Sequence, residues 1–141
     1  MKGSVTCLLI VFFIACNTEN ISTNPEDDTI IGRWQLFERG YSPGDKYIVE
    51  DIASDPVQYI QFSSDSTFAS NIDGYESFDR FSLGKEDGTP VLVLFGAQQN
   101  EVRNSRSFTI SASVQRLELR ARWCIEGCHE AFRPVSNTQN P

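Results

Sequence analysis

The sequence predicts an all-β domain. It should be one antiparallel, mostly up-and-down sheet of about eight strands, closed into a barrel or folded as a sandwich. Two observations carry this. From Ile30 onward, apolar residues recur with period two and not 3.6. Polar turn clusters break that alternation at the spacing of successive hairpins, and no long helical pattern intervenes.

The first strand covers 30–39, where Ile30, Gly32, Trp34 and Leu36 alternate with Arg33 and Gln35. Strands at 57–63 and 67–72 flank the turn Ser63-Ser64-Asp65-Ser66. Strands at 77–83 and 90–96 flank Lys85-Glu86-Asp87-Gly88. The polar stretch from Gln98 to Ser105 leads into 106–113, where Phe108, Ile110 and Ala112 alternate with Thr109 and Ser111. The clearest alternation lies in 116–123. Leu117, Leu119, Ala121 and Trp123 share one face there, and Arg116, Glu118, Arg120 and Arg122 share the other. A last strand covers 129–135. Half-buried strands of this kind belong to antiparallel sheets with one wet face. Closure would remove the exposed edges, and eight strands leave an interior that side chains fill or that holds one small ligand.

By alternation, Leu36, Phe62, Phe68, Phe81 and Phe108 point inward. They either fill the barrel or line a ligand pocket. The long connection from Tyr41 to Pro56 carries Tyr41, Tyr47, Ile48 and Ile52 among several carboxylates. Such a segment either covers the core as a short extra strand or helix, or acts as a lid over a ligand.

Residues 1–15 read as a secretory signal. Lys2 supplies the positive region, Leu8–Ile14 the apolar run, and Ala15 the small residue before cleavage. The run is shorter than the roughly 20 residues that a transmembrane helix needs. Phe13-Ile14-Ala15-Cys16 resembles the lipobox of bacterial lipoproteins, with Phe13 where Leu is usual. That resemblance implies a diacylglyceryl thioether on Cys16 and acylation of the new amino terminus. Two or more chains give a stable membrane anchor where one is marginal. Residues 16–29 then form a polar, flexible tether reaching at most about 45 Å beyond the lipid, and 136–141 a disordered tail.

Of four cysteines, Cys7 leaves with the signal and Cys16 takes lipid. Cys124 and Cys128 remain, and outside the cytoplasm such a pair favours a disulfide. The formal net charge is −7 and becomes more negative when Lys2 is removed. This argues against nucleic acid as a partner, which needs a basic patch. No arrangement for catalysis stands out, so the chain reads as a non-enzyme. His129 is the only histidine and reads as a solvated strand residue. Ser82 and Lys85 have the spacing of a Ser-x-x-Lys pair but sit at a strand end, where no helical turn joins them. Cys124, Cys128 and His129 lack an evident fourth metal ligand, and the cysteine spacing is one residue longer than that of haem attachment. No metal or other cofactor is expected, and a monomer is the default.

Ile31-Gly32-Arg33-Trp34 resembles the Gly-x-Trp signature of lipocalins. With Tyr59-Ile60-Gln61-Phe62, Leu117-Glu118-Leu119 and Cys124-Ile125-Glu126-Gly127-Cys128, the stretch 30–135 is similar to the small lipocalin-like lipoproteins of Bacteroidetes. The resemblance implies a barrel, with Gly32 and Trp34 closing one end and Arg120 or Arg122 packing across the tryptophan. It also implies binding of a small apolar or amphipathic ligand at the cell envelope, at the outer membrane, facing the periplasm or the surface. The Thr-Asp-Tyr lipocalin motif is absent. The alternative is a protein-interaction or structural module with a filled barrel. The anchor is testable by itself: Cys16→Ala should abolish metabolic labelling with lipid and release the protein from membranes, and unchanged labelling would refute it.

Overall fold

The computed structural model describes residues 30–96 and 104–135, so the expected signal, lipidated Cys16, tether and tail lie outside the described residues. The chain is all-β. Its strands are β1 (Gly32–Tyr41), β2 (Ile48–Asp51), β3 (Tyr59–Phe62), β4 (Phe68–Ser70), β5 (Arg80–Glu86), β6 (Thr89–Phe95), β7 (Ser105–Ala112), β8 (Leu117–Ala121) and β9 (His129–Pro134). All pair antiparallel, in the order β4-β3-β1-β9-β8-β7-β6-β5, with β2 also on β1. The two ends of this sheet meet through a bridge between Thr67 and Arg80. Phe68 N–H donates to Asp79 O at 2.9 Å, and Phe81 N–H to Ser66 O at 3.1 Å. The result is a nearly closed up-and-down barrel of eight strands, consistent with a lipocalin-like fold.

Nine strands make eight staves because β2 and β3 are two pieces of one. Both run antiparallel to β1 on the same side: β2 pairs with Glu38–Tyr41 and β3 with Gly32–Gln35. Between them the chain leaves the ladder, and Asp55-Pro56 is a cis peptide there. Ile52 N–H still donates to Phe37 O at 2.8 Å, and Leu36 N–H to Gln58 O at 2.9 Å, so the stave is interrupted but not lost.

Alternation decides what the barrel holds. Trp34, Leu36, Ile60, Phe62, Phe68, Phe81, Leu92, Leu94, Phe108, Ile110, Leu117, Leu119 and Phe132 pack into one core. Phe62 packs edge-on against Phe81 at 4.9 Å and tilted against Phe68 at 5.4 Å. The β5–β6 turn narrows to Asp87-Gly88, both with positive φ. That is the conformation a two-residue hairpin of matching twist requires. At the other end of β5, the segment 71–79 crosses the barrel mouth. Tyr75 N–H donates to Ile72 O, and Phe78 N–H to Tyr75 O. These successive four-residue turns bring Ile72, Tyr75 and Phe78 to the core together.

Because Leu36, Leu117 and Phe132 are fully buried where β1, β9 and β8 meet, truncation there leaves a cavity. Leu36→Ala should lower unfolding stability by about 2–5 kcal/mol in chemical denaturation. A loss below 1 kcal/mol would mean that the site collapses or was never packed.

Candidate functional site

The site begins with a β-bulge. The β1–β9 register shifts between Leu36 and Glu38, so one extra residue of β1 lies opposite β9. Before the bulge, Trp34 and Leu36 face the core. After it, the Arg39 and Tyr41 side chains line the inner cavity, while Glu38 and Gly40 lie against His129 on the other face.

Inward, at the end where β1 finishes and β9 begins, lies a cavity of about 300 Å³ that is partly open to solvent. Tyr75, Phe108, Leu119, Ala121 and Trp123 give it an apolar wall, and Arg39, Tyr41, Asp73, Arg106 and Glu130 give it polar groups. Arg39 donates from Nε and Nη2 to Glu130 Oε1 at 3.0 and 2.8 Å. Tyr75 Oη donates to Glu130 Oε2 at 2.5 Å. Burial pushes the Tyr75 phenol well above its ordinary pKa, and the Glu130 charge adds to this. The phenol therefore stays protonated as the donor. The Tyr75 ring stacks on Phe108 with centroids 6.3 Å apart, and Phe108 meets Trp123 edge-on at 4.9 Å.

Outward, Gly40 leaves room for a second cluster. A Cβ there would overlap the Tyr47 hydroxyl and the His129 ring. Tyr47 stacks on His129, and its hydroxyl bonds to Nδ1. His129 Nε2 lies 2.9 Å from Glu38 Oε1, which also accepts from Arg116 at 2.8 Å. Arg116 and Arg120 both reach Glu118, at 3.1 and 2.6 Å. His129 is thus not solvated as the sequence suggested. It is 8% exposed with both ring nitrogens partnered, because Tyr47 folds over it. The hydrogen bonds from His129 and Arg116 hold the Glu38 carboxyl below its usual pKa.

The disulfide is present. Cys124 and Cys128 are joined across the β8–β9 connection, with Cα atoms 5.6 Å apart. Gly127 takes a positive φ in this turn. In the chain-entropy model a loop of this size contributes about 2 kcal/mol. The turn also carries Trp123 at the cavity rim, 53% exposed, because β8 ends at Ala121 before the expected strand does.

The structure separates the other expected site residues. Leu36, Phe62, Phe68 and Phe81 lie in the packed core, and of the five inward candidates only Phe108 borders the cavity. The expected lid divides as well. Tyr41 lines the cavity and donates to Glu50 at 2.6 Å. Tyr47 covers His129, Ile48 pairs with Tyr41 in the β1–β2 hairpin, and Ile52 packs on the core. Gly32 has a positive φ, and Trp34 is buried at the end of β1 away from the cavity, with Nε1 donating to Ile30 O at 2.8 Å. Arg120 and Arg122 do not cross Trp34. Ala121 faces inward, so its neighbours face outward, where Arg120 meets Glu118 and Arg122 meets Glu86 at 2.6 Å. Arg39, Tyr75, Arg106 and Glu130 had no signal in the alternation that marked them out. Among the described residues no group of three His, Cys, Asp or Glu side chains is placed to hold a metal ion. No family model matches the chain, and neither does any curated protein or solved structure.

The outer cluster should respond to acid. A carboxyl whose pKa is depressed on folding contributes stability that is full above its ordinary pKa, about 4.3, and is lost as pH falls below it. Glu38→Gln should therefore lower Tm at pH 7, with the gap to the parent closing as pH drops toward 3. A gap that is constant with pH would show that the Glu38 charge does not matter.

Proposed function

We propose that this chain is a lipid-anchored, lipocalin-like envelope lipoprotein, and that it binds a small amphipathic molecule non-catalytically at the barrel mouth. The observation that carries the proposal is the mouth cavity. Its volume of about 300 Å³ lies at the small end of the range for ligand pockets. Its aromatic and aliphatic wall beside a few convergent polar groups suits a ligand with one apolar and one polar end. The interior below it is packed with Phe62, Phe68, Phe81 and Leu36, so a long apolar molecule has no room to enter the barrel. Cys16 after its apolar run supports anchoring, and the tether supports work at an outer-membrane surface or in the periplasm.

The packed interior also favours the second reading, a protein-interaction or structural module. At the rim, Trp123 and the fully exposed Ile125 present apolar surface that a partner could cover.

Native mass spectrometry of the chain recovered from its own host separates the two. Ligand binding predicts a small-molecule adduct that is lost in Ala121→Phe, which fills the cavity from its wall. Bare protein from both, alongside co-purification of a second polypeptide, would overturn the ligand reading in favour of the module.

A further inference from the structure

The mouth cavity holds two guanidinium groups in different electrical states. That of Arg39 is neutralised by Glu130, whose second oxygen is taken by Tyr75. That of Arg106 is held by rings instead. Its Cζ lies 5.5 Å from the Phe78 and Trp123 centroids and 5.8 Å from that of Tyr75. Ring faces stabilise a cation through their quadrupole but carry no net charge, so the rings themselves do not neutralise the guanidinium. Among the described residues no side chain forms an ion pair or hydrogen bond with Arg106 at contact distance. The nearby acids are otherwise placed. The Glu76 carboxylate accepts the Gly74 N–H with both oxygens at 2.9 Å and feels Arg106 only electrostatically. Asp73 is exposed, where solvent screens it.

The wall beside Arg106 is aromatic. Phe108 and Trp123 meet edge-on, and Tyr75 stacks on Phe108. A guanidinium offers planar N–H donors in a fork that matches a carboxylate. Resting on the ligand reading above, we propose that the cavity selects a small carboxylate bearing one aromatic ring, with the carboxylate on Arg106 and the ring against Phe108 and Trp123. Arg39 and Glu130 then serve to keep β1 on β9 and to hold Tyr75, and they do not supply the anion contact. The cavity volume suits one ring and a short acidic arm and excludes a long acyl chain.

The test compares 3-phenylpropanoate with the neutral isostere 3-phenylpropanamide on the purified full-length chain, by isothermal titration calorimetry and by Trp fluorescence. Trp123 is the half-exposed reporter, since Trp34 is buried. The acid should bind at least about tenfold more tightly than the amide, as expected for a charge-assisted pair. Arg106→Gln should erase that preference, and Arg106→Lys should keep part of it. Thermal melts of both variants verify the fold, and the Lys variant decides the matter if the Gln variant is unstable. Equal binding of acid and amide by the parent would overturn the Arg106 assignment and leave the pocket reading standing. Binding of neither would overturn the aromatic-carboxylate assignment, and the pocket reading would fall with it only if native mass spectrometry also returned bare protein.

Discussion

The extra residue in β1 sets the inside and outside of the barrel mouth. Strict alternation from Trp34 and Leu36 would send Glu38 and Gly40 inward and Arg39 outward. The bulge reverses this. Arg39 then meets Glu130 across the β1–β9 ladder, and Glu130 in turn receives the Tyr75 hydroxyl from the segment that crosses the mouth. Outside, the same shift places Glu38 and Gly40 where His129 and Tyr47 fold onto them. A polar, partly wet mouth above a dry core follows from one irregularity.

The arginines show where positive charge is spent. On the outer faces five of them find an acceptor on the chain. Arg33 donates to Gln61 and Arg133 to Gln35, while Arg116, Arg120 and Arg122 pair with carboxylates. Exposed pairs of this type contribute little stability, commonly under about 1 kcal/mol each. They do quiet the surface of an acidic chain. The cation at Arg106 stands out against that background because rings surround it.

The strands were legible because each buries one face. Thus β6 to β9 begin and end within two residues of the alternating stretches read from the sequence. The mouth was far less legible. Ile72, Tyr75 and Phe78 recur every three residues through two turns, a spacing that belongs to neither strand nor helix. The split of the second stave into β2 and β3 leaves no sign in composition, since its pairing depends on β1. The burial of His129 depends on Gly40, distant in sequence, having no side chain. Arg120 and Arg122 illustrate the opposite failure. Their alternation with Leu119 and Ala121 already placed them outside, and only an implied contact with Trp34 drew them in.

Stability and the proposed binding therefore fall to different levels of one barrel. The residues that close-pack the interior contribute burial of roughly 1.5–3 kcal/mol each and leave no space for a guest. The mouth departs from that packing in three places: the β1 bulge, the crossing segment that carries Tyr75, and the disulfide-closed turn that carries Trp123. Each departure is tied by a specific bond, so the cavity keeps its shape without being filled. Substitutions on its open side, such as those at Arg106 or Trp123, remove few core contacts. They can alter the mouth while the barrel beneath stays folded, so the proposed binding is separable from the fold that would present it.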